Sequence, residues 1–584
     1  MISVFLEKAR RGESVYLHEV RNAFVGCGHC IECVVELTTG GQKHYRVALP
    51  DGHGEEELTF IKEYFYANIY NLISALGGAC MTLYVEPGDE YAMLLCATLD
   101  EVFQTQKARS ARTGYGKCLN VTDRMNAAMG KAPFRFVVEK TPCPAKIRSE
   151  EIAPGALSQF QHAVRRAQSA TICGMDIGGT DIKIVGVRDG RIAAFKEYDW
   201  NPSVMKDVNS LIQPILLLTR VVRAALSMPD TPRANELRGI MLDKNVSDKS
   251  MRAAVEAAEA EFGAPDLLDG IGVCFPDVVV KDKIVGGETL KTRGVREYSP
   301  DYETEFSRLT ALKQLLLAHC RQGGAVHLSN DGSLAAYTAA VELAHSERAD
   351  EVCEGVFAHT LGTELGTGWI DETGEIPQIP LEVYNCIIDL GNYPAREYEP
   401  LDVRSVNNFN TSLPGTLQKY TSQSGAYRLA LQYFQEKAPS RYRELFDNGY
   451  LEERNGGVYV AGYPRDMRKP LLEHIMTLAS GGEPAAEEVF RRIGEYLAAT
   501  YLETEHILAP RAGTRVLFGR FVKKQRCFEL MQQGAIAVSP VRFVAADDGL
   551  ACTPLMLDLK ADANYTVAQF GQAVGAAYYA ASVL

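Results

Sequence analysis

The sequence predicts an α/β fold with an extra α+β domain at its N-terminus, and three observations point to it. Strand-like and helix-like runs alternate from about residue 170 to the C-terminus, the pattern that builds α/β architecture. Two strand–glycine turn–strand segments interrupt that alternation, GMDIGGTDIKIVGV at 174–187 and TLGTELGTG at 360–368. A stretch with three prolines and a charged middle, TPCPAKIRSEEIAPGA from residue 141, separates this part from a first part of different character, as a connection does. The expected division is an accessory α+β domain over 1–145, a linker over 146–168 and a main domain over 169–584.

The length of 584 residues is too great for one ordinary domain. Apolar residues at 46% and charged residues at 23% give the balance of a globular protein with ample material for a core. A net charge of -13 argues against a broad nucleic-acid footprint, which needs a basic face. It leaves nucleotides open, because backbone N–H groups alone can bind phosphate. No apolar run of membrane-spanning length is read in the chain. The opening MISVFLEKARRGES has neither the apolar core nor the cleavage site of a signal peptide. The expectation is a cytoplasmic protein with no membrane and no nucleic-acid partner. Its 14 cysteines are then mostly reduced core residues.

In the first part, residues 33–37, a Thr-Thr-Gly-Gly break and residues 44–49 predict a hairpin. Residues 55–76 carry apolar side chains at helical spacing, stop at Gly77-Gly78 and lead into the strand-like MTLYV. A helix over 89–104 and a closing strand over 134–138 complete the unit. In the second part, 170–187 reads as strand, turn and strand, and 270–280 as a strand with a turn. Residues 326–329 form a short strand before an apolar helix at 334–343. Residues 355–361 and 366–370 flank the second glycine turn. A long helical region over 426–508, a strand over 516–518 and a helix over 571–583 follow.

Four segments carry chemistry. In the first, an apolar strand ends at Asp176 and is followed by Gly178, Gly179 and Thr180. Glycines let backbone N–H groups approach phosphate oxygens with no Cβ in the way, and the strand-end carboxylate can orient a hydrated Mg²⁺. No helix follows the turn and the spacing differs, so this is neither a Walker loop nor a dinucleotide fingerprint; an ordinary hairpin is the alternative. The second segment, 360–368, has three glycines and three threonines and reads equally as a phosphate turn or a surface turn. In the third, Asp331 stands between a strand and a helix, where a carboxylate can take a proton from a hydroxyl or simply cap the helix. The fourth is the strand VLFG ending at Gly519, or a plain strand with a bulge.

Taken in order, these segments resemble the superfamily of actin, sugar kinases and the large heat-shock ATPases, and imply an actin-like ATPase (ribonuclease H-like) fold of two lobes. Within it the chain is most similar to the ROK family of bacterial sugar kinases and sugar-responsive repressors. DIGGTDIKIVGV resembles that family's first phosphate motif, GIGVCFPDVVV its Gly-Ile-Gly-x-Pro-Gly strand, and SNDGSLAAYTAA its Asn-Asp catalytic segment. TLGTELGTG resembles its second phosphate motif, and SGGEPAAEEVFRRIGEYLAATYLETEHILAP with VLFG the segment ending in its adenosine-binding glycine. The likeness spans about 170–584 and does not extend into the N-terminal part.

The resemblance implies an ATP-dependent phosphotransferase that uses ATP and Mg²⁺ to phosphorylate a hydroxyl of a sugar or sugar-like molecule. Asp331 would be the general base and Asp176 would support the metal through water. Gly178, Gly179, Thr180 and Lys183 would face the nucleotide from one side, and Gly362, Thr363 and Gly366 from the other. Gly519 would lie beneath the adenine or ribose. Asn330 and Glu382, the latter in PLEVYN, would contact the acceptor, and a homodimer is implied. The family's zinc-binding stretch is missing, with Cys386 the one cysteine in that region, and the sugar-contacting Asn after the Gly-x-Pro strand is not evident.

Two other readings follow from the residues. A sugar-sensing repressor of the ROK type would carry a basic N-terminal helix-turn-helix, which the first part lacks, and against a non-catalytic, ligand-sensing regulator stand the intact Asp331 and both phosphate turns. An activator ATPase would hold a metal or iron–sulfur cluster, for which Cys27, Cys30 and Cys33 in GCGHCIEC are the candidate ligands. A second cysteine pair is missing, and buried structural thiols are the alternative. All the nucleotide and base segments lie beyond Thr171, so the first part is expected to tune or shield the site rather than complete it.

Overall fold

A computed structural model describes residues 1–144, 156–286, 292–362, 365–392, 402–408, 410–454, 456–462, 466–510, 514–546 and 550–584. Thr363 and residues 146–155 of the expected linker lie outside the described residues, while the linker's second half forms the helix Ala156–Ala167. The chain forms two compact units: 1–151, 360–367 and 379–545 make the first, and 152–359, 368–378 and 546–584 the second.

The second unit is built on five strands, β5 (Ile172–Ile177), β6 (Asp181–Arg188), β7 (Arg191–Asp199), β8 (Leu268–Phe275) and β11 (Cys320–Asn330), in the order β11-β8-β5-β6-β7. The strands β5, β8 and β11 run parallel, while β6 is antiparallel to both neighbours. Every residue of β8 is buried, as expected of a parallel strand covered on both faces. The helix Val567–Ala581 covers one face closely. A Cβ at Gly174 or Gly272 would collide with the carbonyl oxygens of Ala573 and Ala576, so these strand glycines set the helix-to-sheet distance. The helix Val208–Ser227 starts at Asp207, whose carboxylate accepts the Ser210 N–H. Contrary to the reading of the sequence, this helix is long and apolar enough to cross a membrane by length and composition; 61% of its apolar window is buried, the pattern of a core helix. A small hairpin, β9 (Val279–Val280) and β10 (Lys283–Ile284), lies beyond β8.

The first unit opens with β1 (His29–Glu36), β2 (Gln42–Leu49), β3 (Cys80–Val85) and β4 (Arg135–Glu139) in the order β2-β1-β3-β4. The expected hairpin is β1–β2, and the expected helix is Glu55–Leu76. From Tyr64 to Leu76 every residue of that helix is buried. A helix apolar and buried all round lies inside a core rather than on its surface. The reason is found in the same unit, where the N-terminal region packs against 379–545. The carboxylate of buried Glu503, on the helix Pro484–Leu508, accepts from Arg21 Nη2 at 2.9 Å, and Tyr45 Oη donates to the Ile507 carbonyl. Residues 1–145 fall in the same compact unit as 379–545.

A second sheet has the order β13-β12-β16-β17, from β12 (Val356–Leu361), β13 (Leu365–Ile370), β16 (Thr514–Gly519) and β17 (Arg542–Ala545). The tip of its hairpin, Thr360–Thr367, belongs to the first unit and the base to the second. This sheet and the five-stranded one share a plan, a glycine-turn hairpin beside a pair of parallel strands. The expected helical run over 426–508 is broken. Helices Gln423–Lys437, Pro439–Asp447, Arg468–Ser480 and Pro484–Leu508 are separated by the hairpin β14 (Leu451–Arg454) and β15 (Gly457–Val460). Pro439 and Pro484 each stand at the start of a helix, where a missing N–H costs nothing.

Candidate functional site

In the second unit the site residues gather at the carboxyl ends of parallel strands, the edge where open α/β sheets bind ligands. Asp176 stands at the end of β5, directly across from Cys274 of β8. Asn330 ends β11, and Asp331 is the first residue of the helix Asp331–Leu343. Asn330, not Asp331, is the helix cap: its side-chain oxygen accepts the Gly332 N–H at 2.9 Å, while its Nδ2 donates to the Asp277 carbonyl at 2.9 Å. Asp331 Oδ1 also receives the Gly332 N–H, at 2.9 Å. A close fit seats that helix, since a Cβ at Gly368 would collide with the Gly332 carbonyl.

The first glycine turn is a two-residue loop, Gly179-Thr180, closed by the Gly178 N–H donating to the Asp181 carbonyl at 2.8 Å. Gly178 therefore spends its own N–H inside the hairpin, rather than offering it to phosphate as the sequence suggests. What it supplies is space, because a Cβ there would lie 2.7 Å from the Asp181 carbonyl oxygen. Trp200 braces the loop from β7's end: its Nε1 donates to the Gly178 carbonyl at 2.9 Å and its backbone N–H to the Thr180 carbonyl at 3.0 Å.

Charge on this edge is clustered. Lys183 pairs with Asp181, whose other oxygen receives the Thr180 hydroxyl at 3.2 Å. Burial lifts Asp176 above the usual carboxylate range; the Lys183 ammonium and a hydrogen bond from Cys274 pull it back, and the carboxylates of Asp331 and Asp181 push it up. The sequence reading missed Asp181, Cys274 and Trp200. The signal for the first was its charge, two residues before Lys183 and on the same face of the strand.

In the first unit, Gly362 and Gly366 flank the second turn, and the Gly362 carbonyl accepts the Gln423 N–H at 3.1 Å, where the helix Gln423–Lys437 begins. Gly519 has φ +102, and a Cβ there would collide with the Leu361 carbonyl. Only glycine fits that close approach of β16 to β12. Glu382 accepts from Asn385 Nδ2 at 2.7 Å, and Asn385 in turn accepts from buried Asn408.

Cys27, Cys30 and Cys33 are not brought together as metal ligands. Cys30 and Cys33 are three apart on β1, an odd spacing that sends them to opposite faces. Cys33 is fully buried, which pushes its thiol well up, and Cys30 Sγ accepts from Arg46 Nε at 2.8 Å. Among the described residues no group of three or more His, Cys, Asp or Glu side chains could hold a metal ion.

No family model matches the chain, and no curated protein matches it. Among solved structures, it is similar to a ROK family glucokinase from Streptomyces griseus in complex with glucose and AMPPNP, at 17% identity, covering 70% of this chain and 98% of that one with a TM-score of 0.38. It is also similar to a ROK hexokinase from Thermus thermophilus, at 16% identity, covering 67% of this chain and all of that one, TM-score 0.36. A glucokinase from Leishmania braziliensis matches at 13% identity, covering 69% and 97%, TM-score 0.34.

Proposed function

We propose that the chain is a cytoplasmic, ATP-dependent kinase that phosphorylates a hydroxyl group of a sugar or sugar-like molecule. The observation that carries this reading is the acidic pair on the carboxyl edge of the parallel strands. Asp176 and Asp331 end β5 and follow β11, close enough that the charge of one raises the other, beside a braced glycine loop. Because Asn330 does the capping, the Asp331 carboxylate is not required as the cap. It accepts the acceptor's hydroxyl proton as that oxygen attacks the γ-phosphorus. Gly179 and Thr180, at the loop tip, offer backbone N–H groups to phosphate, and Lys183 adds positive charge behind them. The carboxylate of Asp176 suits Mg²⁺, held through water, since that ion keeps most of its waters and takes one or two carboxylates plus substrate phosphates. When bound, Mg²⁺ neutralises charge on the transferring group. Gly362, Gly366 and Gly519 are assigned to the nucleotide, and Asn330 and Glu382 to the acceptor. A reducing compartment fits the free state of all 14 cysteines.

The test is a screen of sugars, amino sugars, polyols and nucleosides with ATP and Mg²⁺, reading ADP release against an acceptor-free control. ADP released only with an acceptor, together with a phosphorylated product by mass spectrometry, supports the reading. Acceptor-independent hydrolysis across the whole panel would turn it towards an ATPase.

A further inference from the structure

Residues 381–391 carry Glu382, and much of the hydrogen bonding that holds this segment comes from the first 76 residues of the chain. Leu381 has φ +50, a left-handed backbone that is unfavourable for a non-glycine residue. Strain of this kind persists only where the surroundings impose it. Here the surroundings are the last turn of the helix Glu55–Leu76: the Leu381 N–H donates to the Ala75 carbonyl and the Glu382 N–H to the Ser74 carbonyl, both at 3.0 Å. These carbonyls belong to the helix end, which has no partners of its own for them.

Five residues further on, Asn71 clasps the same segment with both ends of its amide. The Ile387 N–H donates to Asn71 Oδ1 and Asn71 Nδ2 donates to the Ile387 carbonyl, both at 2.8 Å. The amide is itself fixed, since Nδ2 also reaches Glu503 Oε2 at 3.3 Å and that carboxylate is paired with Arg21. Asn71 and Glu503 are each only 1% exposed, so water does not replace these bonds. The segment's far end is tied in the same way. The Leu17 N–H donates to the Ile388 carbonyl, the Leu390 N–H to the Val15 carbonyl, and the Val15 N–H to Asp389 Oδ1, at 2.8–2.9 Å.

We propose that the N-terminal region is a working part of the acceptor half of the enzyme, with Asn71 as the positioning residue that holds 381–391 so that Glu382 meets the acceptor. This rests on the assignment of Glu382 to the acceptor made above. It reverses the expectation from sequence that the first part only tunes or shields the site.

The experiment is hydrogen–deuterium exchange of the full chain, paired with steady-state kinetics in which acceptor and Mg·ATP are varied separately. Losing two buried hydrogen bonds of about 1 kcal/mol each should raise exchange across 381–391 in Asn71→Ala by about tenfold or more. Peptides covering Ile172–Arg188 should be unchanged, the KM for acceptor should rise, and the KM for ATP should stay as it was. Unchanged exchange across 381–391 overturns the proposal, as does a loosened segment with an unaltered acceptor KM. Should Asn71→Ala fail to fold, Arg21→Lys keeps the charge but loosens the pairing with Glu503 that fixes the Asn71 amide; a smaller rise confined to the same peptides is expected, and no rise overturns the proposal. If the parent chain phosphorylates no acceptor, the kinase reading fails separately, while the exchange result still decides whether Asn71 holds the segment.

Discussion

The two glycine-turn hairpins occupy matching places in their sheets, yet they are stabilised by different means. The β5–β6 turn is fixed by side chains: Trp200 holds the Gly178 carbonyl, Lys183 pairs with Asp181, and Asp176 sits raised among them. At the described base of the β12–β13 hairpin the ties are backbone ones, the Gly362 carbonyl on the Gln423 N–H and the close approach of Gly519 to Leu361. One fold plan can therefore be adapted to two tasks. A turn with clustered charge suits the metal and the reacting phosphate, while one built from backbone dipoles suits the nucleotide by shape. The contrast implies that substitutions near the first turn change chemistry and pH response, whereas those near the second change stability and nucleotide affinity together.

Asp331→Asn should show the largest effect. We expect phosphoryl transfer to fall by about a hundredfold to ten-thousandfold with ATP binding kept. Near-normal turnover in rapid-quench assays would break the assignment of the general base to this edge.

The helix that begins at Asp331 is anchored further along by Glu342, which is buried and accepts from the Cys552 and Thr553 N–H groups at 2.7 and 2.9 Å. Burial pushes its carboxyl up to about 7, against the hydrogen bonds that favour the charge. A raised folded value means the folded state keeps a proton that the unfolded chain loses. The associated stability is full below about pH 4 and is lost as pH rises through 7, a swing of about 3 kcal/mol. Glu342→Gln, which keeps an oxygen for the two N–H groups, should remove that component. Thermal melts from pH 5 to 8 should fall less steeply for the variant than for the parent, and parallel curves would contradict the assignment.

Gly519→Ala addresses the second turn. The strained φ alone costs about 1–3 kcal/mol, and the collision with Leu361 adds to it. The melting temperature should fall, and ATP affinity should weaken with it. A variant as stable as the parent would show that β16 does not approach β12 this closely.

Lys183→Met is most informative about charge. Removing the ammonium takes away a group that lowers Asp176, so its carboxyl rises further. The acid limb of the pH profile of kcat/KM is expected to move to higher pH, with activity recovering as pH rises. A limb that stays in place would separate Lys183 from Asp176.

Local physics in the sequence determined a good deal of this protein. Turn glycines, strand alternation and helical periodicity located β1–β2, the helix Glu55–Leu76, β5–β6 and the Asn330-Asp331 strand end, because each depends on residues a few positions apart. The sequence left open whether Asp331 caps its helix, and the structure gave that task to Asn330, a choice made by side-chain direction rather than residue type. Of the two readings open for the cysteines, the strand disfavours the ligand pair at Cys30 and Cys33, because residues three apart on a strand face opposite sides. The allegiance of the N-terminal region was decided only in three dimensions. Asn71 and Ile387 are 316 positions apart, and Val15 and Asp389 374. No periodicity connects residues so distant; they meet because a helix buried on every side must be enclosed, and the N-terminal elements and 379–545 enclose it together.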